Sequence, residues 1–161
     1  MSYHAAFITS TINYGLIVWG FTTKRNIKKI FLLQKRAIRL ITHSHYLSES
    51  APLFQETNIL PIQDAISLQT CLFMFQCHNH MLPKSLQEYF KVNSLYHSYQ
   101  TRNSNNYHLP LPRTLLTKRS VFYFGPVFWN SLPNSIKLCK SHNQFKTACL
   151  RNQTYLNTAF E

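Results

Sequence analysis

The sequence predicts a mainly α protein with an irregular region, a short extended element and a C-terminal helix in its second half. Three observations carry that prediction. RNIKKIFLLQKRAIRLI, Arg25 to Ile41, sorts into an apolar and a basic face at helical period. Apolar residues recur at helical spacing from Pro61 to about His80. Near residue 92 the period is lost and polar, proline-containing sequence takes over.

In chain order, residues 2–19 carry a helical pattern with Phe7, Ile8, Ile12 and Leu16 near one face. Gly20 can stop this segment and Trp19 can anchor it in a core. Thr22 or Thr23 is placed to cap the basic helix. Within that helix Ile27, Ile30, Phe31, Gln34, Ala37, Ile38 and Ile41 fall in an arc of roughly 120°. Lys24, Lys28, Lys35 and Arg39 begin the next arc, Arg25, Lys29 and Arg36 extend it, and Leu32 interrupts it. Ser48 is a cap for a short helix over APLFQETN, and Pro61 opens the long helix, with Ile62, Ala65, Ile66, Leu68, Leu72, Phe73 and Phe75 buried. Pro83 marks its end, and LPKSLQEYF reads as a further amphipathic turn or two. Asn93 to Thr114 reads as extended or irregular, and KRSVFYF, Lys118 to Phe124, as a strand from its β-branched and aromatic residues. GPVFWNSLPNSIK reads as two helical turns separated by Pro133, with Phe128 and Trp129 in the core. Ser141 caps a last helix that turns Phe145, Cys149 and Leu156 inward. Two regions follow: 1–90, a helical bundle, and 91–161, with the loop, strand and terminal helices.

Charge narrows the function. Seventeen Lys and Arg against five acids leave a formal +12, and no carboxylate precedes Glu49. A polyanion is the natural partner of such a chain, with nucleic acid the first candidate and an anionic membrane surface the second. The alternative for the basic helix is a solvated charged face. Glu49, Glu56, Asp64, Glu88 and Glu161 are dispersed, so the chain has no seed for a carboxylate pair or a two-metal centre. Three glycines argue against a Gly-rich phosphate loop, and no cofactor is expected.

Cys71, Cys77, Cys139 and Cys149 form neither a disulfide ladder nor a CxxC pair. CLFMFQCHNH brings Cys71, Cys77, His78 and His80 together, and Cys139 and His142 stand at a CxxH spacing. Neither is a recognised zinc spacing, and buried cysteines with helix-end histidines, His43 and His45 among them, are the expected reading. The N-terminus lacks a secretory pattern, and its apolar run from Tyr14 to Phe21 is too short to span a bilayer. An intracellular protein, nuclear or cytoplasmic, is expected. In HSYQTRN, residues 97–103, Tyr99 and Arg102 could stack on a base and hold a phosphate; the alternative is a loop packed on its own domain by Tyr99.

YGLIVWG (14–20), LLQKRAIRLIT (32–42), APLFQETNILPI (51–62), HSYQTRNSNN (97–106), FGPVFWNSLPNSIK (124–137) and QFK (144–146) occur in that order. Together they resemble the C-terminal part of the reverse transcriptase of non-LTR, LINE-type retrotransposons, the jockey-like group in particular, over residues 5–150. The resemblance implies a helical thumb that follows the polymerase palm and holds a template–primer duplex by its backbone. Lys28, Lys35, Arg36 and Arg39 would then be duplex or template contacts. Fingers, palm, the metal-binding aspartates and the N-terminal endonuclease of that family are missing from this sequence, so no polymerase activity is expected of it alone. It would be the product of a truncated or decayed element. RNA, DNA or their hybrid is the expected partner, and the palm of a parent polymerase a further one. The rival readings are a protein-interaction remnant with an apolar seam made for a lost partner, and a basic membrane-surface binder.

Overall fold

The computed structural model describes residues 3–96 and 102–152. They are mainly helical, and among them β pairing is confined to an antiparallel bridge between Val92 and Tyr107. The chain forms two compact units, Met1–Ile66 and Ser67–Glu161.

In the first unit, α1 (Tyr3–Asn13) and α2 (Leu16–Trp19) replace the single helix expected over 2–19. The break falls at Gly15, whose φ of 62° is a left-handed conformation that a residue with a Cβ adopts only with strain. Across the break the Trp19 indole donates to the Tyr14 carbonyl at 2.8 Å, and the ring is half-buried. The altered phase leaves Leu16 in the core and Phe7, expected on the same face, 72% exposed. Gly20 ends α2 in ordinary right-handed geometry. Its role is space, since a Cβ there would lie 2.9 Å from Ile66 Cγ1.

Next comes α3 (Lys24–Ile41), capped by the Thr23 hydroxyl, which accepts from the Asn26 N–H. It packs against α4 (Ser50–Thr57) and touches α1. Ile38, Leu53, Phe54 and Ile59 close the core between them, with Phe31 stacked on Phe54 at 5.9 Å. The cap of α4 is not Ser48. Glu49 occupies that position without a side-chain bond, and the Ser48 carbonyl is instead taken by Arg39. Gln34, on the apolar arc of α3, is 3% exposed. Its Nε2 donates to the Leu60 carbonyl at 2.8 Å and its Oε1 accepts from the Ile62 N–H at 3.0 Å. One amide thereby satisfies both backbone groups flanking Pro61 at the head of α5 (Ile62–His78).

Most of α5 is buried; Gln63, Asp64, Gln69, Phe73 and Gln76 are half-buried and His78 is exposed. Ser67, Thr70, Cys71, Met74 and Phe75 are each fully inaccessible. In the second unit its later turns meet α8 (Val121–Ser131) and α10 (His142–Arg151) through rings and sulfurs. Phe145 stacks on Phe75 at 4.5 Å and on Trp129 at 5.9 Å. A Cβ on Gly125 would lie 2.8 Å from Met74 Sδ, so glycine is what lets α8 come this close to α5. Phe128 and Trp129 are core residues, and the Ser141 hydroxyl caps α10, both as the sequence predicts. Leu156 lies outside the described residues.

KRSVFYF is not a strand. Its first residue ends the short α7 (Leu115–Lys118), and Val121 onward is the first turn of α8. Local β preference loses because α8 runs on through Phe128 and Trp129, and only the helical period turns Gly125, Phe128 and Trp129 inward together. Leu132 and Pro133 are extended before the short α9 (Asn134–Lys137), the two-part form the sequence predicts. After α5 come α6 (Lys84–Gln87) and a 3-10 turn at Asn93–Leu95, inside the stretch expected to be irregular.

With three glycines in the chain, α3, α4 and α5 end on other residues. His43, Asn58 and His80 adopt left-handed φ of 50°, 52° and 57° at the ends of α3, α4 and α5. Each is followed by an N–H that bonds back five residues: Ser44 to Arg39, Ile59 to Phe54 and Met81 to Gln76. This is the pattern that closes a helix and caps its last carbonyls. The helix-end placement of His43 and His80 follows the sequence reading.

Candidate nucleic-acid interface

The basic arc of α3 is built as its periodicity predicts. Ile27, Gln34 and Ile38 face inward, while Lys24, Arg25, Lys28, Lys29 and Arg36 are exposed. No acid stands in the first turn, so four cations crowd a helix end that is already positive. That arrangement opposes the helix dipole and raises the local potential, and an anion against it relieves both.

Two of the seven cations are partly occupied. Arg39 Nε donates to the Ser48 carbonyl at 3.0 Å and so fastens the turn after α3. Lys35 Nζ sits 4.4 Å from the centroid of Phe31, a cation–π contact with a ring that is itself stacked on Phe54. Both side chains are half-buried. The strip open to a ligand is therefore Lys24, Arg25, Lys28, Lys29 and Arg36. Besides Leu32, 47% exposed, the strip is flanked by Leu33 and Leu40 at 61% and 76%. The same helical wheel places these two leucines beyond Lys29, so their exposure could have been read from the sequence.

In the second unit the sequence's candidate ligands part company. Cys71 donates its thiol hydrogen bond to Cys149, which raises the Cys71 thiol and lowers that of Cys149. Cys77 is turned to the Tyr107 hydroxyl, and burial raises its thiol. His78 Nδ1 lies 3.3 Å from the same hydroxyl, and its ring lies 5.0 Å from Trp129. Burial, then His80 and Lys137, holds His78 below the usual histidine range. His80 Nδ1 bonds Gln87 Oε1 at 2.9 Å. Among the described residues no three His, Cys, Asp or Glu gather in a metal-binding set. Cys71 and Cys149 thus serve one another, Cys77 and His78 share the Tyr107 hydroxyl, and His80 is held by Gln87.

Tyr107 and Asn130 escaped the sequence reading. The Asn130 amide accepts from the Tyr107 N–H at 2.9 Å and donates to its carbonyl at 2.8 Å, clamping the bridge strand to α8. No spacing rule points to a pair 23 residues apart. Of HSYQTRN, residues 97–101, with Tyr99, lie outside the described residues; Arg102 is exposed. Next to it the chain returns along itself. The Asn93 N–H bonds the Asn106 carbonyl at 2.9 Å, and the His108 N–H bonds that of Lys91 at 2.8 Å.

Fold and strip together define a strongly basic, mainly helical protein with one cationic helix face available to a polyanion. A stretch of 67 residues, 42% of the chain, is 31% identical to the probable RNA-directed DNA polymerase from transposon BS of Drosophila melanogaster. That stretch spans 7% of the fly protein, so the likeness is to a small part of a much longer polypeptide. This chain thus carries a region related to a transposon reverse transcriptase. No family model matches the chain, and no solved structure matches it. Among the described residues no helix is long and apolar enough to cross a membrane.

Proposed function

We propose that this chain is a nucleic-acid-binding fragment of a LINE-type, jockey-like retrotransposon reverse transcriptase. It corresponds to the thumb and the region after it, and holds template–primer phosphates without regard to sequence. The single observation that carries the reading is the exposed row Lys24, Arg25, Lys28, Lys29 and Arg36 on a helix whose other face is locked into a core. The local likeness to a transposon polymerase supports the choice of partner. The chain acts by binding and does not polymerise by itself. Glu49, Glu56 and Glu88 are exposed and belong to no DxD, DD or HExxH motif, and burial raises the carboxyl of Asp64, which disfavours the charged form a metal needs.

The test is fluorescence anisotropy with labelled RNA–DNA hybrid, single-stranded RNA and duplex DNA across a salt series. Substituting Lys28, Lys29 and Arg36 together by Ala is expected to flatten the log–log salt slope by up to roughly 2–3, at about 0.7–0.9 per lost phosphate contact. Substituting Lys35 and Arg39 changes the slope less, since both side chains are engaged within the protein. A triple variant that keeps the parental slope makes the strip a solvated face and removes the thumb as the mechanism. A second reading, docking on another protein such as a parent polymerase palm, is favoured by the exposure of Leu33 and Leu40. It predicts association that is insensitive to salt and lost on Leu33→Ser/Leu40→Ser.

A further inference from the structure

We propose that the outer face of the Val92–Tyr107 bridge, where Tyr96 lies on His108, is a stacking platform for the bases of a single-stranded nucleic acid. Side chains alternate across paired extended segments. Tyr107, 5% exposed, points into the second unit's core, so its neighbour His108 and, across the pairing, Lys91 and Asn93 belong to the outer face. His108 Nδ1 lies 3.3 Å from Asn93 Oδ1, which fixes the imidazole in place. Tyr96 stacks on that imidazole with centroids 4.1 Å apart and planes 28° from parallel.

The Tyr96 ring is backed on one side by the imidazole, and the residue remains 53% exposed. Ordering such a ring at binding costs little, because the histidine has already ordered it. Flat, preordered aromatic faces grip bases of any identity, and neighbouring cations hold the backbone. Lys91 and Arg102 are exposed at this end of the unit. No carboxylate occurs between Glu88 and Glu161, and residues 67–161 carry ten Lys and Arg against two acids. The surroundings therefore favour phosphate over an acidic or neutral surface.

The proposal rests on the nucleic-acid reading above but on different residues, so the two fail separately. The experiment uses the full chain, a labelled oligouridylate and an abasic strand of equal length and charge. The base-bearing strand is expected to bind about tenfold more tightly than the abasic one. Tyr96→Ala removes that preference while leaving the salt slope unchanged, and Tyr96→Phe keeps it. The Lys28/Lys29/Arg36 variant does the reverse, flattening the slope and keeping the preference. Equal binding of the two strands, or a Tyr96→Ala protein that still prefers bases, overturns the platform alone. If neither strand binds, the platform is overturned, while the α3 strip is judged separately on the RNA–DNA hybrid and duplex DNA.

Discussion

The first unit closes its core largely with aliphatic side chains, Leu16, Ile27, Ile38, Leu53, Ile59 and Ile62, and concentrates its charge on one long helix. The second stacks Phe75, Phe145 and Trp129 and spreads its cations over short helices and loops. Aliphatic groups pack by volume, whereas stacked rings also specify orientation. The first unit consequently spends its specificity on polar detail: the Gln34 amide, the Thr23 cap and the Arg39 bond to the Ser48 turn. In the second the rings set the geometry, and the polar groups settle around them.

The comparison breaks most readily at Phe145. Truncation to Ala removes a fully buried ring touching both Phe75 and Trp129, and is expected to cost about 3–5 kcal/mol. Urea denaturation followed by tryptophan fluorescence reads the loss. A cost near 1 kcal/mol would show that the ring stack does not organise the second unit.

A smaller effect is expected at Gln34. Replacement by Leu keeps the volume but leaves the Leu60 carbonyl and the Ile62 N–H unpaired in a buried place, a loss of about 2–3 kcal/mol. The same denaturation curve measures it, and a neutral Gln34→Leu would mean that aliphatic packing alone holds the first unit.

The smallest effect concerns pH. His78 has a lowered pKa in the folded chain, so on acidification the unfolded chain takes up its proton first. This contribution to stability is complete above the ordinary histidine value of about 6.5 and declines as pH falls below it. His78→Gln should flatten thermal midpoints between pH 7 and pH 5.5, by a shift on the order of one degree, because the side chain is partly exposed. An unchanged profile would assign the acid sensitivity elsewhere.

What was legible in the sequence was periodic or immediately local. The basic and apolar arcs of α3, the buried run of α5, the caps at Thr23 and Ser141 and the core rings Phe128 and Trp129 all depend on residues a turn or two apart. KRSVFYF misled because β preference is a property of the residues alone, while the helix is imposed by α5 against Gly125 and by the rings beyond it. The phase break at Gly15 misled in the same way, a single left-handed residue having turned Phe7 outward. For the candidate site, the row of cations was legible and the internal engagement of Lys35 and Arg39 was not. The Tyr107–Asn130 clamp and the Tyr96–His108 stack join distant parts of the sequence, and no local pattern encodes them.

Gln34 gives the cationic helix a second property. Its side chain grips backbone on both sides of Pro61, so a pull on the outer face of α3 reaches the Ile62 amide through a single side chain. The Ile62 hydrogen is thus a strain gauge embedded beneath the cationic strip. Its exchange with deuterated solvent should slow when a polyanion steadies α3 and quicken when Gln34 is removed, reporting occupancy from inside the protein with no label on the ligand.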